Sequence, residues 1–506
     1  MAVASQSVRL SPEAIDPELR SILSAVHAAA SEAHLVGGGV RDLLRGEKPT
    51  DLDFVTRADV HTAAEAIASA LGGSPFPLDE KRGQYRVVLD ASVKSIDLSS
   101  LKADLEANLR ERDFTMNAMA VAVAADGPAG EVIDPCGGLV DLQNGRVRMV
   151  SAQAFEEDPL RLLRGIRLAV ELGLEIEPVT AAEIREHSAL LATAAPERQR
   201  DELTRILATQ RAATGIRMMD ELGLLAVVLP ELMPAHGVGQ PGQHHHWDVF
   251  DHSVETVAML DHITHPTTPS KRANGQTGKE ELAQDFHDGL DWYPLATYLD
   301  EDAGGHSRRV LLKLAGLLHD VAKPETKSTD ASGRTRFLGH PEIGANKTAR
   351  ICERLRFGNR ETRFVSLLVE EHLRPTQLSA RGQAPSPRAL YRFFRDLADA
   401  APACLILMLA DGAAAAGPRL QRARWRDHIA YVSYLLAQEQ ATAEAAKAPR
   451  LITGNDLMEA LDMPPGPSLG RLLSEIDEAI GAGEISTREE AVAYGKSAMR
   501  EEETHE

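Results

Sequence analysis

Gly37-Gly38-Gly39-Val40-Arg41-Asp42, followed a few residues later by Asp51-Leu52-Asp53, is the stretch that organises this chain. Leu35 and Val36 precede the glycines as a short apolar strand, and Phe54 and Val55 continue a second strand beyond the acids. On a strand, residues i and i+2 point to the same side, so Asp51 and Asp53 are expected to present their oxygens together. Paired carboxylates suit a hard cation such as Mg²⁺, which completes its shell with water and phosphate oxygens. Glycines let backbone N–H groups approach a triphosphate with no side chain between. Most Asp-x-Asp pairs are merely solvated strand ends, but the apolar strands on both flanks favour a built site here.

With 506 residues the chain is too long for one core, and several domains are expected. Fifty-five Lys and Arg against 75 Asp and Glu give a net charge of −20. That excludes a uniformly basic nucleic-acid binder, so a phosphate-rich partner must meet local basic patches. Cys136, Cys352 and Cys404 stand far apart and form no disulfide framework, which fits a reducing compartment. The N-terminus lacks the basic and apolar regions of a signal peptide. The most apolar run, near Cys404 to Leu409, is stopped by Asp411 before it reaches membrane-spanning length. The expectation is a soluble cytoplasmic protein with no membrane partner and no obligate protein partner.

Residues 1–150 mix β-rich runs (Tyr85 to Leu89, Val93 to Leu98, Met119 to Val123) with alanine-rich helical segments, which predicts a mixed α/β head. Helical periodicity dominates from about Ala154. Residues 264–305 lack clear periodicity and read as a mobile insertion. The acidic end, Arg500 to Glu506, is expected to fray.

Two further clusters carry polar chemistry. Arg112-Asp113-Phe114-Thr115-Met116-Asn117-Ala118 places charged and amide groups just before a strand, suited to the ribose and phosphates of a nucleotide. Asp134-Pro135-Cys136-Gly137-Gly138, followed by Asp141, reads as an ordinary turn-rich hairpin link. In Glu157-Asp158-Pro159-Leu160-Arg161, Pro159 marks a helix start. Leu162, Leu163, Ile166 and Val170 then gather on one helical face, with Arg161, Arg164 and Arg167 opposite. Asp158 and Arg161 projected together match the Watson–Crick edge of a base; taken alone, they are equally an i,i+3 ion pair on a solvated face.

In this order the motifs resemble the bacterial class II tRNA nucleotidyltransferase and poly(A) polymerase family, whose members include CCA-adding enzymes. The matching pieces are GGGVRD, DLDF, ERDFTMNAMA, DPCGGLVDLQNGRVR and EDPLRLLRGIRLAVELG, then Glu197 to Leu203, and near the C-terminus Leu451 to Leu457 with Pro464 to Pro467. The resemblance implies an α+β chain: a nucleotidyltransferase head at 1–150, a helical neck at 151–230, a helical body at 231–440 and a helical tail at 441–506. It implies that Asp51 and Asp53 hold catalytic Mg²⁺, and that Gly38, Arg41, Arg112, Asp158, Arg161, Arg164 and Arg167 bind the incoming nucleotide. Asp158 and Arg161 would read the base. The implied reaction adds C and/or A from CTP and ATP to the tRNA 3′ end with release of pyrophosphate. Asp97, on a later strand, is either a third carboxylate or a surface residue. One departure concerns the link Leu98 to Leu105, which is short and has no aromatic residue. Many CCA-adding relatives carry there a loop associated with the switch from C to A addition, so CC-only and A-only addition both stay open.

The body resembles an HD phosphohydrolase domain. His252, His319, Asp320, His340, His372 and Asp411 fall in the order and local settings of that family's ligands. Mixed imidazole and carboxylate ligands suit a divalent transition metal or Mg²⁺, and the resemblance implies phosphoester hydrolysis. His244, His245 and His246 read as a solvated loop. Arginines crowd the body at Arg350, Arg354, Arg356, Arg360 and Arg363, at Arg388, Arg392 and Arg395, and at Arg419, Arg422, Arg424 and Arg426. As a set they are expected to meet the tRNA backbone. The competing readings are a poly(A) polymerase and an HD-containing uridylyltransferase of a regulatory protein.

Overall fold

The computed structural model describes residues 8–10, 15–30, 32–90, 93–101, 104–241, 246–265, 278–378, 384–447 and 451–505, the side chains of 440–447 and 500–505 excepted. The chain divides into two compact units, Met1–Glu202 with Met218–Val228, and Leu203–Arg217 with Leu229–Glu506.

The first unit is built on a seven-stranded sheet of order β3-β4-β5-β2-β1-β6-β7. Its strands are β1 (His34–Val36), β2 (Asp51–Thr56), β3 (Ser74–Asp79), β4 (Gln84–Val88), β5 (Ser95–Ser100), β6 (Ala120–Ala124) and β7 (Gly127–Ile133). β2 and β5 run parallel, and the remaining neighbours antiparallel. Alternation along the strands gives the sheet two unlike faces. Leu35, Leu52, Phe54, Val87, Ile96, Leu98 and Val121 point to one side and form the main core. It is covered by α1 (Pro17–Ala29), capped at Asp16, while α2 (Gly38–Leu44) follows β1 directly and α3 (Val60–Leu71), capped at Asp59, packs beside α1. Each such buried Leu or Phe contributes about 1.5–3 kcal/mol, so the covered face holds the sheet together. On the other face Val36, Val55, Leu109, Ala118 and Ala120 form only a small cluster. Asp51, Asp53 and Asp97 occupy that same side.

The short α4 (Leu105–Arg110) leads into the Arg112–Ala118 segment, and α5 (Gly138–Gln143) packs against it. The carboxylate of Asp134 accepts the N–H groups of Gly138 (2.8 Å) and Leu139 (2.9 Å). Asp134 to Gly138 is therefore a capped helix start, not the hairpin link read from the sequence. A methyl group on Gly138 would stand 2.1 Å from the carbonyl oxygen of Thr115 and 2.7 Å from its carbonyl carbon. Backbone cannot yield as a side chain does, so Gly138→Ala is expected to destabilise the head by about 1–3 kcal/mol, as overpacking does elsewhere. A urea midpoint lowered by that energy divided by the slope of the unfolding free energy with urea checks it. The helices α6 (Gln153–Glu157), α7 (Arg161–Leu172), α8 (Pro178–His187) and α9 (Pro196–Ala208) follow.

The second unit is helical. Helices Val249–Ile263, Arg308–Leu318, His340–Arg354, Asn359–Glu371 and Ala401–Ala416 surround its centre. The apolar segment expected near Cys404 to Leu409 is a buried core helix, with Ala401 to Ala410 all buried. Where the sequence suggested an irregular insertion at 264–305, helices Gly278–Gly289 and Leu295–Asp300 are formed, residues 266–277 lying outside the described residues. The last helix, Arg488–His505, includes most of the end expected to fray. Ile452, Leu457, Leu469, Leu472 and Ile476 give the C-terminal helices a small core of their own.

Much of the arginine crowd is spent inside this unit. Arg354 pairs with Glu231, Arg388 with Glu484, Arg392 and Arg395 with Glu478, and Arg422 and Arg426 with Asp285. These six side chains tie elements of this unit together. The solvent-exposed pairs among them, such as Arg388 with Glu484, add at most about 1 kcal/mol each.

Candidate active site and metal centre

The turn from β1 into α2 brings backbone against the carboxylates of β2. Gly37 has φ 74°, and a Cβ there would lie 3.1 Å from Asp53 Oδ2 and 2.8 Å from Arg112 Nη1. Glycine is the residue that allows both the left-handed backbone and this close approach. Asp51 and Asp53 share a face of β2, and Asp97 on the parallel β5 stands beside Asp53 in register. Asp51 Oδ1 accepts from Ser95 Oγ at 2.6 Å. Asp97 is held by Arg86 through two hydrogen bonds of 2.6 and 2.7 Å. Burial pushes the Asp53 carboxyl up; Arg112 opposes this, and the neighbouring Asp97 and Asp51 add to it. A carboxylate disfavoured in its charged form by its own surroundings is one that a divalent cation would relieve. The donor set fits a hard cation.

Arg112 is partly buried, and its Nε has no hydrogen-bonding partner among the described residues. Burial pulls its pKa down, against the pull of Asp53 and Asp113. Asp113 is buried, yet Arg164, the Phe114 N–H and Asn117 hold its carboxyl below the usual range. Arg164 Nη1 lies 3.2 Å from Asp113 Oδ2, and Arg167 Nε lies 3.0 Å from the buried Glu202. Arg41 donates to Asn117 Oδ1 (2.8 Å) and to Asp42 (2.8 Å). The structure thus gathers Asp51, Asp53, Gly38, Arg41, Arg112 and Arg164 around one end of the sheet. Arg164 and Arg167 are no solvated basic face, because each reaches a buried carboxylate.

Asp158 and Arg161 are placed differently from the sequence reading. The Arg161 backbone N–H donates to the Asp158 carbonyl at 2.9 Å, but no hydrogen bond or ion pair joins the two side chains among the described residues. Arg198 Nη1 and Nη2 donate to the two oxygens of Asp158 at 3.1 and 2.8 Å. Arg161 donates instead to the carbonyls of Ala154 (3.2 Å) and Glu111 (3.2 Å) and to Glu157 (3.3 Å). Burial raises the Asp158 carboxyl, but Arg198 outweighs it and the net shift is downward. Arg198 and Glu202 are four residues apart on α9, a spacing that puts both on one face. The sequence held that signal without saying which residues they would meet.

The centre of the second unit collects the other six candidates. Asp248 caps the helix that carries His252. His319 and Asp320 follow the end of helix Arg308–Leu318, His340 opens its helix, and His372 closes another. His252 Nε2 lies 3.5 Å from Asp320 Oδ2 and 3.0 Å from Asp411 Oδ1. His319 Nε2 is 3.1 Å from Asp320 Oδ2, while His340 and His372 Nε2 are 3.4 and 3.9 Å from Oδ1. The Nδ1 atoms of His319, His340 and His372 sit 2.9, 2.6 and 2.7 Å from the carbonyls of Gly316, Phe337 and Val369. An Nδ1–H donated there fixes the tautomer that leaves Nε2 free to ligate. Two groups that could hold a metal ion result, His252–His319–Asp320 and Asp320–His340–His372, with Asp320 common to both.

Both oxygens of Asp320, and His340 Nε2, are buried without a well-directed hydrogen bond, although Lys323 Nζ lies 2.7 Å from Oδ2. Burial raises the Asp320 carboxyl, but His319 and Lys323 outweigh it and hold it well below the carboxylate range. Burial, with His319 nearby, lowers His372 to about 4, so its imidazole is neutral near pH 7. Buried imidazoles facing a shared carboxylate fit a divalent metal. Lys323 was not singled out from the sequence. His244 and His245 lie outside the described residues.

Residues 33–148 match the poly A polymerase head domain, residues 173–235 the probable RNA and SrmB-binding site of polymerase A, and residues 290–416 the HD domain. His252 precedes the last match. The A-adding tRNA nucleotidyltransferase of Deinococcus radiodurans is 36% identical over 472 residues, spanning 91% of this chain and 94% of that protein. The CC-adding tRNA nucleotidyltransferase of Thermus thermophilus is 34% identical, spanning 92% of this chain and 93% of that protein. The Bacillus stearothermophilus CCA-adding enzyme in complex with CTP shares the fold with a TM-score of 0.58 at 21% identity, covering 97% of this chain and all of that one.

Proposed function

This chain belongs to the family of tRNA nucleotidyltransferases and poly(A) polymerases, and on that premise we propose that its head builds only part of the CCA end, CC or the terminal A. The reaction is addition of C and/or A from CTP and ATP to the tRNA 3′ end. Two facts support partial addition. β5 ends at Ser100 and α4 begins at Leu105, which leaves little chain for a switching loop, Lys102 and Ala103 of the link being outside the described residues. The Deinococcus and Thermus relatives each bear the name of a partial adder.

The observation that carries the assignment is the packing of Gly37 against Asp53 and Arg112 at the mouth of β2. Asp51 and Asp53 would hold Mg²⁺, which when bound neutralises phosphate charge and favours the ionised RNA 3′-hydroxyl. Gly37 and Gly38 let the triphosphate lie against backbone. Arg112 and Arg164 sit where guanidinium groups can take phosphate oxygens in pairs. Cytosine and adenine both offer an amino donor beside a ring-nitrogen acceptor. Asp158 is suited to accept from the amino group, and Arg161 to donate to the ring nitrogen once its carbonyl partners are exchanged for the base. Uracil and guanine present a carbonyl where the amino group would be and leave Asp158 facing an acceptor.

Arg198 holds that carboxylate ionised and oriented. Arg198→Ala is expected to raise KM for CTP or ATP about ten- to a hundredfold, the effect of losing a hydrogen bond to a charged group, and to admit UTP. Steady-state incorporation of each nucleotide measures it. To fix which nucleotides are added, tRNAs ending at the discriminator base, at C and at CC are supplied with CTP or ATP separately. Partial addition predicts extension from one kind of end and not from the others. Complete CCA synthesis, or a long A tail on generic RNA, would contradict it.

For the second unit the reading is a metal-dependent phosphoesterase acting on RNA ends. Its four imidazoles favour a transition metal over Mg²⁺, which when bound supplies an activated water. Lys323, beside Asp320, is placed to meet a phosphate oxygen.

A further inference from the structure

Strand register carries the catalytic face of the head well beyond the carboxylates. Phe76 on β3 stands opposite Arg86 on β4, Arg86 opposite Asp97 on β5, and Asp97 beside Asp53 on β2. Residues directly opposite in neighbouring strands share a face, so one transverse row runs from Asp53 to the edge of the sheet. Arg86 spends two donors on Asp97 and keeps 38% of its side chain exposed. A guanidinium has five N–H donors, and those left over can take a phosphate. Past Arg86 the surface is open and apolar. Phe76 is 41% exposed, and Val88, two residues along β4 on the same side, is 44% exposed. Edge strand β3 contains Pro75 and Pro77, which lack N–H donors and so discourage another strand from adding there.

We propose that this row is a binding track for the single-stranded 3′ end of the acceptor RNA, with Phe76 stacking on an unpaired base near the terminus and Arg86 donating to an adjacent phosphate. The inference rests on the head being the site of nucleotide addition. A terminal hydroxyl that reaches Asp51 and Asp53 needs the nucleotides behind it supported, and the row is continuous with those carboxylates. An aromatic ring accepts the face of any base, and an arginine beside it accepts backbone phosphate, the pairing that single-stranded nucleic acid uses generally.

The test uses the full-length protein and a tRNA whose 3′-terminal region carries 5-iodocytidine. Irradiation should crosslink that base to Phe76, identified by peptide mass spectrometry, and Phe76→Ala should abolish the crosslink. Phe76→Ala is further expected to raise KM for tRNA about tenfold, as loss of a base-stacking aromatic does. KM for CTP or ATP and kcat should stay near wild type, and Phe76→Trp should restore RNA affinity. A crosslink mapping elsewhere, or an unchanged KM for tRNA, overturns the track. So does a change in oligomeric state on Phe76→Ala with RNA kinetics intact, which would give this edge to a second copy. If Asp53→Asn kept full addition, the assignment of the head would fail instead. An inactive Asp53→Asn beside a kinetically normal Phe76→Ala would sink the track alone.

Discussion

Asp53→Asn should abolish nucleotide addition, by on the order of a thousandfold or more, the scale on which loss of a charge-stabilising group at a reacting centre is felt. Asparagine keeps the shape but removes the charge that a cation needs at the mouth of β2. The fold should tolerate the change. Burial pushes the Asp53 carboxyl up despite Arg112, so its charge does not stabilise the metal-free head. Single-turnover incorporation of labelled CTP or ATP, together with a thermal melt, separates the two effects. Unchanged melting with lost incorporation is the expected pattern, and phosphoester hydrolysis by the second unit should persist. Incorporation within a few fold of wild type would remove Asp53 from the reaction.

The reciprocal change is Asp320→Asn. Asp320 is the one residue shared by both candidate triads, and its buried oxygens lack well-directed hydrogen bonds. Loss of its charge should remove bound transition metal, measured by elemental analysis after dialysis, and lower hydrolysis of phosphoester substrates by at least about a hundredfold. Nucleotide addition should remain within twofold, since Asp320 and Asp53 belong to different compact units. Retained metal with lost hydrolysis would make Asp320 something other than a ligand. Loss of addition would overturn the separation of the two centres.

How far these centres can be read from the letters alone depends on how local their signals are. Asp51 and Asp53 were legible because a two-residue period on a strand fixes a shared face, and the flanking apolar residues mark the strand. The order of the six candidate ligands in the second unit was equally legible, because each sits at a helix end or within an apolar helix. β3 and β7 were not anticipated. Ser74–Asp79 contains two prolines and Gly127–Ile133 two glycines, residues that local propensity counts against a strand. Register with β4 and β6 overrides that preference.

Partner choice was the harder part. Asp158 and Arg161 are three residues apart, so the sequence suggests that they meet, yet Arg198 from α9 takes both oxygens of Asp158. Nothing local to Asp158 announces a residue forty positions away. The arginines of the second unit pose the same problem. Their clustering does not announce that Glu231, Asp285, Glu478 and Glu484 stand opposite six of them. Arg86 escaped notice because a lone arginine within an apolar strand carries no signal until Asp97 lies beside it.

Everything turns on whether the acids of β2 receive the cation and the nucleotide. Crystals soaked with Mn²⁺ and CTP, measured at the manganese absorption edge, report this without recourse to activity. An anomalous peak within bonding distance of oxygens from both Asp51 and Asp53, with the triphosphate against Gly38 and Arg112, is the predicted result. Manganese and nucleotide bound away from β2, with the two carboxylates turned apart, would contradict it.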